Sequence, residues 1–335
     1  VRISVLFGGQ SEERDVSIAS AAQIIPALRA RGHQVAAVDT AYGAIEVADE
    51  HRVLTSAVGQ APPSATEIDR ARIQAGPLQL PATVGDSDVV FIALHGGSGE
   101  DGRLQALLDL AGIPYTGSGP LGSALAMDKD VSKTLLRAGG IRTPDWLIAP
   151  SSTDQVNDAL GFPVVVKPTA QGSTVGLSVV RSPDQLDAAI ARASQYGTVM
   201  IERFIRGREL TVGVLGARAL AVGEIFVPVD EAFTYAHKYQ VGAIEESFPA
   251  NLPAAVESDA KNAALEAHRL LRLEGYSRSD FRLDDSGAIW LIEANSLPGM
   301  TATSLLPQSA AAEGIDYGQL CEDICREATG RWKRH

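Results

Sequence analysis

The chain opens on a strand that runs into a glycine pair and then a helix, and this unit narrows the folds open to it. Residues 2–7 (RISVLF) alternate and are β-rich, and Gly8-Gly9 breaks them. A helix is expected over 17–30, with Ile18, Ala22, Ile25 and Leu28 as its apolar positions; Gly32 ends it, and 35–38 reads as the next strand. Strand, glycine loop, helix and strand in that order predict a parallel α/β sheet. Residues 88–94 (DVVFIAL) form a short apolar run before another glycine loop, the pattern of a buried parallel strand.

A helix over 104–111 stops at Gly112-Ile113-Pro114, and YTGSGPLGS (115–123) reads as a hinge. Beyond it come a helix at 129–138, strands at 163–167 and 176–180 around a polar loop, and a helix at 183–194. A third region holds strands at 199–204, 209–215 and 219–226, a long loop, a helix at 255–273, strands at 279–283 and 289–293, and a helical tail. The 335 residues therefore divide into 1–117, 118–197 and 198–335, in keeping with roughly 100–200 residues per domain.

Charge excludes some partners. The 29 Lys and Arg against 41 Asp and Glu leave a net charge of −12, which disfavours nucleic acid and anionic membranes. An anionic substrate such as ATP then needs a local cluster of Lys and Arg. No apolar run reaches the roughly 18 residues of a membrane span, and VRISVLFGG is too short and too soon broken for a signal peptide. The two cysteines, Cys321 and Cys325, stand four apart in CEDIC with no histidine nearby; they suit helix packing better than metal binding. A cytoplasmic protein is expected.

Several segments carry chemistry. In PVVVKPTAQGSTVG (163–176), Lys167 closes a strand and precedes a loop of small residues. Its ammonium, the loop N–H groups and the hydroxyls of Ser173 and Thr174 suit a phosphate, although a polar hairpin loop would look the same. The order differs from a P-loop, in which glycines precede the lysine. In IWLIEANSLPGMT (289–301), Glu293 and Asn295 point to one face, and Asp280 lies on the strand before. Two carboxylates and an amide, completed by nucleotide phosphates, suit Mg²⁺; a solvated turn is the alternative.

The loop ALHGGSGEDG (93–102) places His95 and Glu100 where parallel sheets bind ligands, though a lone histidine there is more often structural. FGGQSEERDVS (7–17) offers a helix N-terminus for an anion, or Glu13 for an ammonium. It lacks the GxGxxG spacing, which argues against a nicotinamide-dependent oxidoreductase. Glu202 and Glu209 in IERFIRGREL flank a segment fit for a purine and a ribose, and Lys238 and Tyr239 in FTYAHKYQ sit in a loop placed to act as a lid.

Together, GGQSEERDVS, LHGGSGEDG, IPYTGSG, SALAMDK, VVVKP…GSTVG, IERFIRGRELTV, KY and RSDF…EANSLPGMT resemble the D-alanine–D-alanine ligase family of the ATP-grasp superfamily, in order and over nearly the whole chain. The resemblance implies an ATP-grasp fold: an N-terminal parallel, Rossmann-like α/β domain that binds substrate, a central ATP-grasp subdomain, and a C-terminal one with metal site and lid. It implies that Lys133, Lys167 and Lys238 hold ATP phosphates, that Glu202 and the backbone near Ile205 read adenine, and that Glu209 reads ribose. Asp280, Glu293 and Asn295 would hold two Mg²⁺ ions, with Mn²⁺ as a substitute. Arg278 would stabilise the oxyanion and the transferred phosphoryl group. Glu13 would bind the first ammonium beside His95, linked to Ser173 and Tyr239, while Ser304 and Leu305 would receive the second carboxylate. A homodimer is implied as well.

Some positions depart from the family pattern. Gln171 stands where a glutamate is common, the lid reads FTYAHKY in place of an acidic FYDYEAKY-like segment, and NSLPG replaces NTSPG or NTMPG. The glycine-rich stretch before the arginine is reduced to GYSRSD. The ATP side is intact and the acceptor side is altered. A related ligase of specialised metabolism, with another amino acid in one subsite, is therefore the alternative; a silent nucleotide-binding regulator is less consistent with so full a set of polar residues.

Overall fold

The structure, a computed structural model, describes residues 1–54, 58, 65–75, 80–228 and 244–333. Three sheets organise these residues. The first contains β1 (Arg2–Phe7), β2 (Gln34–Asp39), β3 (Gly43–Ile45) and β4 (Val89–Ile92) in the order β3-β2-β1-β4. β1 pairs in parallel with both β2 and β4, Ile3 lying opposite Val35 and Val89, and β3 adds an antiparallel edge. All four β4 residues are buried, as a strand covered on both faces requires. The Arg14–Ala30 helix starts three residues before its expected N-terminus, and residues 10–13 separate it from Gly9.

The second sheet is antiparallel, β5-β8-β6-β7, built from β5 (Trp146–Ile148), β6 (Val164–Pro168), β7 (Ser178–Val180) and β8 (Val199–Arg203). The third, also antiparallel, runs β11-β10-β9-β12-β13, with β9 (Arg208–Leu215), β10 (Arg218–Ile225), β11 (Glu246–Ser247), β12 (Tyr276–Leu283) and β13 (Ile289–Asn295). The α/β expectation holds. The helix expected at 183–194 is a 3₁₀ turn, Pro183–Gln185, followed by the Leu186–Ala193 helix.

The expected division at 197/198 differs from the pairing. β8 pairs with β6 and β5, so the central sheet closes at Arg203. The hinge helices at Pro120–Met127 and Lys129–Ala138 send Ala126 and Leu136 into the core beneath β9 and β12, together with the Ala254–Leu270 helix. The Tyr317–Trp332 helix returns to the first sheet, where Leu320, Cys321, Ile324 and Cys325 join one core with Ile24, Leu28 and Phe91. Both cysteines are packing residues, as expected. Burial pushes both thiols up, Cys321 to about 12, so neither ionises near neutral pH. No described helix is long and apolar enough to cross a membrane.

Candidate active site

Two clefts lie on either side of the β12–β13 strand ends. The larger, about 800 Å³, is lined by Lys129, Lys167, Phe204, Ile205, Glu209, Asp280, Arg282 and Glu293, with residues of the β6–β7 loop over it. The smaller, about 590 Å³, is lined by Glu13, His95, Glu100, Ser173, Glu246, Arg278, Asn295, Ser304 and Leu305.

Strand pairing connects them. Asp280 lies opposite Glu293 and Arg278 opposite Asn295 in the β12–β13 ladder. Arg278 donates from two nitrogens to the two Asp280 oxygens, both at 2.8 Å. Thr211 and Asn295 donate to the same carboxylate at 2.8 and 3.1 Å. Glu293 stands 3.6 Å from the Lys129 ammonium. Among the described residues no three His, Cys, Asp or Glu side chains gather as a metal group. Two carboxylates and an amide oxygen nevertheless fit a hard cation that takes its remaining ligands from water and phosphate, and they do not fit a closed zinc site. Binding there would require Asp280 to loosen its pairing with Arg278.

At the floor of the larger cleft, which it also lines, Glu202 joins two lysines. One oxygen accepts from Lys133 and the other from Lys167 at 2.7 Å. Lys133, Lys167 and Glu202 are 1%, 5% and 2% exposed. Burial alone would raise the Glu202 pKa; the two adjacent ammonium groups outweigh it and hold the carboxyl below its usual range. Burial pushes Lys133 down to about 8 against the pull of Glu202. Lys133 also donates to Thr143 at 2.6 Å and lines neither cleft.

The lysine of this helix that does reach the larger cleft is Lys129, which the sequence reading passed over. It donates to the Gln171 carbonyl at 2.6 Å. Lys129 and Lys133 are four apart and share a helix face, so spacing does not choose between them; the MDK motif was the available signal. Glu209 pairs with Arg282 at 2.9 Å, and Arg282 lies 5.5 Å from the centre of the Phe204 ring.

In the smaller cleft, Ser173 donates to Glu13. Glu13 is 7% exposed and closely bounded by Gly96 and Gly172: an added Cβ at either would stand 2.8 and 2.6 Å from its Oε2. Ser173 and Thr174 hold φ of 46° and 60°, a left-handed pair of non-glycine residues. Such backbone costs about 1–2 kcal/mol per residue and turns the Ser173 side chain toward Glu13. His95 is held at both nitrogens, Nδ1 at 3.2 Å from the Leu297 carbonyl and Nε2 at 3.2 Å from the Ser20 hydroxyl. A carbonyl only accepts, so Nδ1 carries a proton. Ser304 stands just before the Leu305–Ala311 helix, and its hydroxyl oxygen accepts from the Thr301 N–H at 3.1 Å. Lys238 and Tyr239 lie outside the described residues.

Comparison with known proteins fits this arrangement. Residues 2–118 match the family model for the D-ala D-ala ligase N-terminus, and residues 136–326 match that for its C-terminus. The chain belongs to the D-alanine–D-alanine ligase family. It is 43% identical over 325 residues to a D-alanine–D-alanine ligase of Nitratidesulfovibrio vulgaris (strain DP4), covering 96% of this chain and 95% of that protein. Among solved structures it resembles the Bacillus anthracis D-alanine–D-alanine ligase complexed with ATP, with a TM-score of 0.76, 30% identity and coverage of 100% and 99%. It also resembles the VanG D-Ala:D-Ser ligase of Enterococcus faecalis, with a TM-score of 0.78, 28% identity and coverage of 96% and 98%. The ATP-grasp expectation holds.

Proposed function

We propose that this ligase joins two D-alanines at the expense of ATP, giving D-alanyl-D-alanine, ADP and phosphate for cell-wall peptidoglycan synthesis. One observation carries the reading: a larger cleft and a small polar cleft lie at paired strand ends, where Asp280 and Glu293 line one and Arg278 and Asn295 the other. ATP occupies the larger cleft, with adenine near Phe204 and Ile205, ribose near Glu209, and phosphates near Lys129 and Lys167. Glu202 lines the same cleft on the adenine side and, with Lys133 behind it, fixes the Lys167 side chain. Lys238 would add a positive charge for the phosphates, and Tyr239 a hydroxyl for Glu13 and Ser173. Asp280, Glu293 and Asn295 would hold two Mg²⁺ ions, which supply positive charge to the phosphates when bound.

The first D-alanine lies in the smaller cleft, its ammonium on Glu13 beside His95. Its carboxylate attacks the γ-phosphorus; the bond to the ADP oxygen breaks, and an acyl-phosphate forms. Arg278 and Lys167 face the charge that develops on the phosphoryl oxygens. The second D-alanine, its carboxylate on Ser304 and Leu305, gives up one ammonium proton to water before the site closes, and its free amine attacks the activated carbon. The tetrahedral intermediate expels phosphate. Water must be excluded throughout, because an acyl-phosphate hydrolyses readily. The same reading places a homodimer in the cytoplasm.

The test is phosphate release from ATP, with product mass, over a panel of amino-acid pairs with and without Mg²⁺. Release that needs both D-alanine and Mg²⁺, with D-alanyl-D-alanine as product, is expected. Release only with another pair would move the activity to a different amino-acid ligase, and release with none would remove the enzyme reading.

A further inference from the structure

The smaller cleft contains an acidic group that the chemistry above does not use. Glu246 lies in the two-residue edge strand β11, opposite Ile225. The next side chain, Ser247, turns to the Pro249 carbonyl at 3.2 Å, while Glu246 lines the cleft with Glu13, Arg278, Ser304 and Leu305. It is half-buried. Among the described residues its carboxylate accepts one hydrogen bond, from the Gln308 side-chain amide at 2.5 Å, and no Lys, Arg or His nitrogen lies within 4.0 Å of it. The same amide nitrogen donates to the Thr303 carbonyl at 2.7 Å, which ties Glu246 to the segment leading into Ser304 and Leu305.

A carboxylate drawn partly out of water and met by one neutral donor is under-compensated. Burial raises its pKa, and Gln308 and Arg278 offset only part of that. An arriving cation would complete its surroundings. Two amino acids bring two ammonium groups to the cleft, and Glu13 accounts for one. The ammonium and carboxylate of an α-amino acid are carried by a single carbon, so the group that receives the second ammonium must stand beside Ser304 and Leu305. Glu246 stands there because Gln308 holds it there.

We propose that Glu246 binds the ammonium of the second amino acid and so positions the acceptor for attack. This rests on the ligase reading above. The test compares the wild-type chain with Glu246→Gln and Glu246→Asp, measuring phosphate release and dipeptide formation over ranges of D-alanine and ATP that separate the two amino-acid constants. Glu246→Gln keeps an acceptor for Gln308 and removes the charge. It is expected to raise the acceptor KM about tenfold or more, the loss of a partner worth at least ~1.4 kcal/mol, with the donor and ATP constants within about twofold. Glu246→Asp is expected to recover part of the loss. An unchanged acceptor constant, or three constants rising together as a general distortion would produce, overturns this assignment alone. No dipeptide from the wild-type enzyme overturns it together with the ligase reading.

Discussion

Ser173 donates its hydroxyl hydrogen to the Glu13 carboxylate across 160 residues of sequence. The bond joins the β6–β7 loop to the turn that opens the first helix, and so joins a phosphate-side loop to the expected ammonium site. Gly172 makes the approach possible, since a Cβ there would stand 2.6 Å from the carboxylate. Ser173→Ala is expected to lower kcat by tenfold or more while stability changes by only about 1 kcal/mol. Gly172→Ala should be worse, because it displaces Glu13 itself. Steady-state kinetics beside thermal unfolding checks both; normal turnover in Ser173→Ala would remove the contact from the reaction.

The two lysines of the Lys129–Ala138 helix should separate cleanly. Lys129→Ala is expected to raise the KM for ATP about tenfold or more with little change in Tm, because its ammonium stands at the cleft beside Glu293. Lys133→Met leaves Glu202 with Lys167 alone in a buried site. Breaking a buried pair in this way costs ~3–5 kcal/mol, so its main effect should be a lower Tm. ATP titration and differential scanning calorimetry distinguish the two; the reverse pattern would exchange their roles.

Chelation by EDTA should abolish phosphate release, and Mg²⁺ or Mn²⁺ should restore it. Asn295→Ala is expected to raise the Mg²⁺ concentration needed for half-maximal rate and to cut turnover by orders of magnitude. The same side chain donates to Asp280 at 3.1 Å, so calorimetric Mg²⁺ binding in the presence of ADP should weaken as well. Near-normal turnover would take Asn295 out of the metal shell.

His268 supplies a pH dependence of stability. It lies in the Ala254–Leu270 helix, 2.7 Å from the Ser277 hydroxyl, and burial pushes its pKa down to about 4. The unfolded chain takes up this proton near pH 6.5, the folded one only near 4. Below about 6.5 the unfolded state therefore binds more protons, and stability falls as the pH drops toward 4. Wild-type Tm is expected to decline more between pH 7 and 4.5 than that of His268→Gln. Parallel curves for the two proteins would assign the acid sensitivity elsewhere.

Much of the fold was legible because its signals are local. Gly8-Gly9 after an alternating strand and the buried run ending at Leu94 announced the parallel sheet, and IWLIEAN announced the strand carrying Glu293 and Asn295. Lys167 stands out in the sequence for the same reason, because a lysine at a strand end before a small-residue loop is a local pattern. Lys129 was missed because a helix face carries both it and Lys133, and only the passage of the Gln171 loop over one of them decides. Glu246 gives no signal in the sequence, because a lone acid in a two-residue strand has no pattern.

The sequence by itself determined the element types, the family and the set of polar groups available for ATP chemistry, since periodicity and motif order are properties of neighbouring residues. Tertiary structure alone decided where the layers divide: β8 joins the central sheet, the hinge helices join the C-terminal core, and the last helix returns to the first sheet. It also decided that Glu202 is shared by two lysines, that Asp280 is held by Arg278, and that Glu13 meets Ser173. Each of these depends on which buried charge finds a partner once water is excluded, and that pairing arises from distances between segments, which sequence separation does not carry.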